Sequence, residues 1–239
     1  MAKLYIVGIG PGSVENMTIK AYKAIEKADV IVGYRYYIDL IKDMIEGKDI
    51  ITTGMCGELD RCRKAVSKVK LGYDTALISS GDAGLYGMAG PALELADGID
   101  TEVIPGVTSL FAAAAELGAP VMNDFCSVSL SDLLTPWDTI VRRLEYACKG
   151  DFIIAIYNPK SKGRKGHLKK AVDIIAKYKD GDTPVGIVKN AGREGNDKRI
   201  TTLSNIDYDF VDMRTVIIIG NSGTYIRRGN IVTPRGYNI

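Results

Sequence analysis

The sequence is poor in the residues that most often bind metals or form disulfides. Its 239 residues include one histidine, His167, so a metal site built from several imidazoles is excluded. The four cysteines, Cys56, Cys62, Cys126 and Cys148, include no CxxC pair, and we expect reduced thiols. We therefore predict no protein-bound metal.

Long apolar runs and a strong net charge are also missing. No apolar run approaches the roughly 20 residues that a membrane-spanning helix needs. The net charge is only +2, so bulk electrostatics do not indicate nucleic-acid binding. The chain enters a predicted strand without the basic and apolar segments of a signal peptide. We expect a soluble, cytoplasmic protein that has neither nucleic acid nor a membrane as its partner.

Short β-branched runs alternate with amphipathic helical stretches almost to the end of the chain. This alternation predicts an α/β protein with mainly parallel sheets. It weakens at 116–124, where Gly118 is expected to end a helix that Pro120 cannot continue. We therefore predict two α/β domains, 1–118 and 119–239. The predicted strands are 4–9, 29–33, 49–53, 75–80, 101–105, 126–130, 151–157, 184–188, 199–203 and 214–220, and the predicted helices are 18–28, 35–46, 58–71, 85–96, 107–117, 136–148 and 164–178.

The first glycine-rich loop, VGIGPGS at 7–13, resembles a nucleotide-binding loop only in part. A dinucleotide fingerprint needs glycine where the chain has Ser13, and a carboxylate where the second strand ends in Val-Gly-Tyr at 32–34. Pro11 lacks the amide hydrogen that a phosphate cradle uses. We interpret the loop as one that lets a flat or bulky ligand without phosphate approach the backbone.

Two further glycine-bearing loops follow predicted strands, at 78–90 and 104–118. In the first of them, Asp82 is placed to accept hydrogen bonds from an ammonium or hydroxyl group of a ligand, and in the second Thr108 or Ser109 can cap a helix. Ligands of open α/β sheets sit beyond the carboxyl ends of strands, so the three loops favour a ligand cleft. The alternative is that they are only tight turns between strands and helices.

Several motifs of these loops, and others along the whole chain, resemble one known family. VGIGPGS, SSGDAGLYG, PGVTS, YNP and PVGIVKNAGREG resemble the tetrapyrrole methylases, although Ala83 stands where that family commonly has proline. SLSDLLTPW, YNPKSKGRKGHL and VTPRGY look like the precorrin-3B C(17)-methyltransferase branch, which includes the cobalt-factor III methyltransferases of cobalamin synthesis.

The resemblance implies a fold, a reaction and a cosubstrate. The fold would hold S-adenosylmethionine in a cleft between two α/β domains, and the enzyme would be a homodimer. The reaction would be methylation of C(17) of a tetrapyrrole, coupled to contraction of the macrocycle. The alternatives are a methylase of the same family acting at another ring carbon, a diphthine synthase-like protein methylase, and a non-catalytic sensor of adenosyl ligands.

The resemblance also implies a set of cofactor-binding residues. Some of them have an alternative structural role, since Leu85 can belong to the core and Thr108 and Ser109 can be helix caps. The implied set is Pro11, Ser80, Gly81, Asp82, Leu85, Thr108, Ser109, Asn158 and Ala191.

A tetrapyrrole carries carboxylates around an apolar rim, so its binding site needs cations. The basic segment at 160–167 supplies Lys162, Arg164 and Lys165 for this purpose, and Arg35 is a further candidate together with other arginines such as Arg61. For any one of these residues, the alternative is a solvated surface charge.

Ring contraction requires proton movement, for which two residues are candidates. His167 would be a general acid or base near neutral pH, or else a residue at a helix start that only binds a carboxylate. Asp132, in SLSDLLTPW, would orient a substrate group or cap a turn.

Overall fold

The structure is a computed structural model that describes residues 2–161 and 163–238. It divides into two compact units, Met1–Ser109 and Leu110–Ile239. Within the described residues, no helix has both the length and the apolar character that a membrane span requires.

The first unit alternates strands and helices along its whole length. In chain order its elements are β1 (Leu4–Gly8), α1 (Ile19–Lys27), β2 (Val30–Tyr34), α2 (Arg35–Asp39), β3 (Asp49–Thr53), α3 (Glu58–Lys70), β4 (Thr75–Ser79), α4 (Ala89–Leu95) and β5 (Thr101–Ile104). The strands form one sheet in the order β3-β2-β4-β1-β5, in which every pair is parallel. The loops after β1, β4 and β5 therefore leave the sheet at one edge.

The central strands β1, β2 and β4 are buried on both faces of this sheet, as their continuous apolar runs predict. Successive side chains of a strand point to opposite faces. Leu4 and Ile6 of β1 accordingly pack in the core formed with α3 and α4, and Tyr5 and Val7 in the core formed with α1. The sheet is thus a rigid support for the loops at its edge.

The second unit is built on a mixed sheet. Its elements, in chain order, are α5 (Ser109–Leu117, which begins at the last residue of the first unit), β6 (Gly118–Ala119), β7 (Phe125–Ser129), α6 (Trp137–Lys149), β8 (Ile153–Tyr157), α7 (His167–Ile175), β9 (Pro184–Lys189), β10 (Asp197–Thr202), β11 (Thr215–Ile219), β12 (Tyr225–Arg227) and β13 (Asn230–Val232). The main sheet has the order β10-β9-β11-β8-β7, and β12, β13 and β6 form a small separate sheet.

The prediction of an α/β protein is confirmed, and parallel pairings predominate over the two main sheets together. Within the second sheet, however, only β7 and β8 are parallel, and the other three pairs are antiparallel. For β9 and β10 the reason is the short connection at 190–196, which leaves no room for a crossover helix. The small third sheet was not predicted, because strands of two or three residues carry no hydrophobic period.

The predicted and observed boundaries between the two units differ by the length of helix α5. The sequence places the boundary at 118/119, where the helix ends, whereas the units divide at 109/110, where it begins. The buried residues Leu110 and Leu117 of α5 pack with Ile153 and Val188 of the second sheet. Chain breakers mark the end of the helix, but its packing assigns it to the second unit.

Three of the predicted helices are much shorter in the structure than in the sequence-based prediction. The helix predicted at 35–46 ends at Asp39, the one at 85–96 begins at Ala89, and the one at 164–178 begins at His167. In the last two, glycine-rich segments occupy the missing turns. The cofactor cleft that the resemblance implies between the two domains stays a prediction.

Candidate active site

The first two glycine loops are hydrogen-bonded to each other at the carboxyl edge of the first sheet. Ile9 N donates to Ser79 O at 2.9 Å, Gly10 N donates to Gly81 O at 3.1 Å, and Gly81 N donates to Gly10 O at 2.7 Å. Gly10 and Gly81 both have positive φ, +73° and +70°, which glycine adopts without strain. These bonds fix the loop after β1 against the loop after β4.

Asp82 ties the second loop to itself and to the third loop. Its Oδ1 accepts hydrogen bonds from the amides of Gly84 and Leu85, at 2.8 and 3.1 Å, and its Oδ2 accepts one from Gly106 N at 3.0 Å. A carboxylate has about four acceptor positions, so about one remains for a ligand. The structure therefore shows a loop-fixing role for Asp82, and the cofactor contact stays a prediction.

The glycines of these loops divide into two kinds. A Cβ on Gly8 would lie 2.7 Å from Gly106 N, and one on Gly106 would lie 2.2 Å from Gly81 O. These two glycines are required because backbone packs on backbone. In contrast, a Cβ on Gly90 meets no atom within 4 Å, and one on Gly81 has its nearest neighbour at 3.6 Å. Only glycines of the second kind, Gly81 and Gly90, leave room for another group beside the backbone.

All of the first-unit cofactor candidates lie on these three loops. Pro11 and Thr108 are buried, Ser109 is the first residue of α5, and Ser80 and Leu85 are half-buried. The loops are thus arranged together, whereas the contact of each residue with a cofactor stays a prediction.

The second unit carries the other two cofactor candidates. Because β11 is antiparallel to both β8 and β9, these strands run in the same direction, so Asn158 and Ala191 follow strand ends at one edge of the sheet. The Nδ2 of Asn158 donates to Ser129 Oγ at 2.9 Å, which fixes its side chain. Ala191 is buried.

Asn190, beside Ala191, has an unsatisfied acceptor that sequence reasoning missed. Its side chain is 7% exposed, and its Nδ2 donates to Gly195 O at 3.0 Å. Its Oδ1 is buried and has no hydrogen-bond partner among the described residues. Buried acceptors are nearly always paired, so this oxygen is open to a donor such as a water molecule or a ligand.

The structure brings His167 and Asp132 together, although they are far apart in the sequence. The distance from Nε2 to Oδ2 is 2.8 Å, and the indole of Trp137 meets the imidazole edge-on at 4.8 Å between ring centroids. The hydrogen bond from His167 holds the pKa of Asp132 below its usual value, and the charge of Arg164 lowers it further. Asp132 is therefore an ionised acceptor, Nε2 carries the proton of this bond, and Nδ1 is left for another partner.

The basic segment is only partly visible. Lys162 lies outside the described residues. Arg164 is half-buried with a buried Nε that has no hydrogen-bond partner within the described residues, and Lys165 is exposed. Arg35 is on the first unit, at the first residue of α2, and is also exposed. The positive charge of Arg164 lowers the pKa of Asp132, the carboxylate that is bonded to His167. Arg164 is thereby linked to the His167–Asp132 pair.

A family model for tetrapyrrole (corrin/porphyrin) methylases matches residues 3–207, which is most of the chain. The chain belongs to this family. A probable cobalt-factor III C(17)-methyltransferase of Salmonella typhimurium is 49% identical over 99% of this chain and 100% of its own length. A precorrin-3B C(17)-methyltransferase of a Sinorhizobium species is 36% identical over 98% of this chain and 96% of its own.

The fold agrees with that of another family member. The crystal structure of the methyltransferase CobJ superimposes with a TM-score of 0.93 at 31% identity, covering 98% of this chain and 100% of that one. The assignment predicted from the loop motifs is thereby confirmed. In the part of this tetrapyrrole methylase that the structure describes, no three His, Cys, Asp or Glu side chains are grouped to hold a metal ion.

Proposed function

We propose that the protein is an S-adenosylmethionine-dependent C-methyltransferase of cobalamin biosynthesis that methylates C(17) of cobalt-factor III or precorrin-3B, with contraction of the macrocycle. The observation that carries the proposal is the near-complete alignment with the Salmonella protein of that name. The fold likeness to CobJ supports it.

The residues present fit an adenosyl cosubstrate. The buried Oδ1 of Asn190 needs a donor, and adenine carries an exocyclic amine. Gly81 and Gly90 leave space at the loop edge, and Asp82 retains an acceptor position for a hydroxyl or ammonium group. The residues proposed to hold the cosubstrate are Pro11, Ser80, Gly81, Asp82, Leu85, Thr108, Ser109, Asn158 and Ala191.

When bound, S-adenosylmethionine supplies a methyl group on a sulfonium that a carbon nucleophile displaces directly. Such a reaction depends mainly on positioning. Asp82 and the reciprocal bonds between Gly10 and Gly81 hold the loops in one arrangement before any ligand arrives. We assign the loops to this positioning.

His167 and Asp132 are proposed as the acid–base pair of the contraction step. Asp132 fixes the tautomer with the proton on Nε2, and Trp137 restricts the ring. The Nδ1 atom of His167 is then the one that gains or loses a proton. Lys162, Arg164, Lys165 and Arg35 are proposed to bind substrate carboxylates.

The test is an assay of the purified protein with S-adenosylmethionine and either cobalt-factor III or metal-free precorrin-3B. We expect a product heavier by one methyl group and an absorption spectrum of a contracted ring with at least one of the two substrates. Methylation of neither substrate would contradict the proposal. Comparing the two substrates decides whether cobalt is required.

The homodimer implied by the family resemblance also belongs to this proposal. Sedimentation equilibrium of the purified chain measures its mass in solution, and a monomer at micromolar concentration would contradict this part.

A further inference from the structure

Three tyrosines lie together at the carboxyl edge of the first sheet. Tyr34 ends β2, and Tyr36 and Tyr37 are in the first turn of α2. The rings of Tyr34 and Tyr37 meet edge-on at 5.3 Å between centroids, and Tyr36 lies 6.1 Å from Tyr37 and 6.5 Å from Tyr34. Tyr37 also packs against the apolar core beneath, so the cluster is anchored to the sheet.

A glycine explains why α2 turns back so tightly here. A Cβ on Gly33 would lie 2.7 Å from Ile78 Cγ1 and 3.0 Å from Ile38 Cδ1. Only glycine lets α2 pack this close to β4. Tyr36 and Tyr37 are therefore held on a short helix that is fixed against the sheet, next to Tyr34 at the end of β2.

Arg61 is a buried cation beside the tyrosines. It is 4% exposed, and its guanidinium donates to Thr53 Oγ1 at 2.7 Å, Gly54 O at 3.1 Å and Met88 Sδ at 3.4 Å. Its Cζ lies 5.9 Å from the centroid of the Tyr34 ring. All these partners are neutral, and no carboxylate of residues 2–161 or 163–238 forms an ion pair with it.

A buried charge without an opposite partner carries a desolvation cost that hydrogen bonds to neutral groups offset only in part. Arginine stays ionised at every physiological pH and carries five donors, of which these contacts use three. Its positive charge therefore acts on the tyrosine surface, which its guanidinium reaches through the contact with the Tyr34 ring. Arg35 adds a second cation next to Tyr34 and Tyr36, and it too has no ion-pair partner among the described residues.

The cluster lies next to the glycine loops in the sheet order. Strand β2 is bonded to β4, the strand that leads into the second glycine loop, and Met88 belongs to that loop. Neighbouring strands are about 4.8 Å apart, so the ends of β2 and β4 lie side by side. The carboxyl edge of the sheet can therefore be divided into two adjacent regions. The loops after β4, β1 and β5 form one part, and the tyrosines and arginines beside β2 and β3 form the other.

We propose that Tyr34, Arg35, Tyr36, Tyr37 and Arg61, here called the tyrosine–arginine platform, bind a flat conjugated ring that carries carboxylates. The ring rests against the tyrosine surface, since aromatic rings stack edge-on or offset, and its carboxylates face Arg35 and the field of Arg61. This assignment rests on the proposed function, because it names the surface that recognises the tetrapyrrole.

The probe for the test is uroporphyrin, a planar tetrapyrrole polycarboxylate, titrated into the protein and followed by its absorption spectrum. The double variant Arg35→Gln/Tyr36→Leu, at one exposed and one half-buried position, should raise the dissociation constant roughly tenfold or more, as expected for loss of one charge-assisted contact and one aromatic contact. Arg61→Met should raise it several-fold and flatten its dependence on salt.

Lys64→Met is the matched control. It removes one positive charge from the same helix as Arg61, but Lys64 is exposed and paired with Asp60 at 2.8 Å. It should leave uroporphyrin affinity within about twofold of wild type, as surface pairs contribute little. Affinity for S-adenosylhomocysteine should stay unchanged in the double variant and in Lys64→Met, because that ligand is assigned to the loops and neither change contacts them.

Two results would overturn the platform. One is no saturable uroporphyrin binding by wild type, and the other is unchanged affinity in the folded double variant, which stays informative if Arg61→Met fails to fold. The proposed function fails separately. Suppose that wild type methylates neither cobalt-factor III nor precorrin-3B, while the double variant still weakens uroporphyrin binding. The proposed tetrapyrrole-binding platform is then supported, and the proposed methylation reaction is contradicted.

Discussion

The loops of the first unit and the acid–base pair of the second unit are assembled in different ways. The three glycine loops are held by backbone hydrogen bonds and by a single carboxylate, that of Asp82. The pair of His167 and Asp132 depends on two side chains brought together by the fold and on one aromatic neighbour. We propose that the first arrangement serves positioning and the second serves proton transfer, so mutations in the two places should separate binding from turnover.

His167→Gln should have the largest effect. Loss of a general acid or base typically reduces turnover by about 10²–10⁴-fold, and binding of S-adenosylhomocysteine should not change. Steady-state assays and calorimetry measure the two quantities. Lys170→Ala, an exposed change on the same helix, is the control, and equal turnover in both variants would remove His167 from the chemistry.

Asp82→Ala tests the loop side of the comparison. It removes the acceptor of three backbone amides, and we expect a loss of about 1.5–3 kcal/mol, or roughly ten- to a hundredfold, in S-adenosylhomocysteine affinity. The chain should remain folded because the sheet cores are not touched. An unchanged dissociation constant would show that the loops do not hold the cosubstrate.

Gly106→Ala sharpens the distinction between the two kinds of glycine. Its Cβ would clash with Gly81 O, so we expect a destabilisation of about 1–3 kcal/mol, measured by denaturant unfolding. Gly90→Ala is the matched control, since nothing lies within 4 Å of its Cβ and alanine favours the helix. If both variants unfold alike, crowding is not what requires Gly106.

On stability, Asp132→Asn should have the smallest effect, measured as a pH dependence of the unfolding free energy. The pKa of Asp132 is lowered in the folded state, so its contribution is present above the unfolded value near 3.8 and is lost as pH falls through the folded value. Wild type and variant should therefore differ in unfolding free energy at pH 6 and converge in strong acid. A difference that grows towards low pH would contradict the geometry.

Local patterns made most of the first unit predictable from the sequence. Strand β3 lies where it was predicted, at 49–53, and the glycine loops follow the strands as expected. The His167–Asp132 contact could not be derived, because the two residues are brought together only by packing in the second unit. The antiparallel pairs of that unit were missed for the same kind of reason, since partner choice follows from loop length and the core.

Two structural features, the tyrosine cluster and the loop-fixing role of Asp82, could have been predicted from sequence patterns that the sequence analysis did not use. Three tyrosines in four residues, beside Arg35, indicate an aromatic surface at the end of a strand. Asp82 was assigned to a ligand, yet the glycines around it indicate bare amides within reach of a carboxylate. Lys162 lies outside the described residues, so its role stays a prediction.

The most direct test of the central claim follows an isotopically labelled methyl group. The protein is incubated with labelled S-adenosylmethionine and cobalt-factor III or precorrin-3B, and the product is examined by NMR. The account predicts one labelled methyl group at C(17) of a contracted ring. A label at any other ring carbon, or none on the tetrapyrrole, would contradict it.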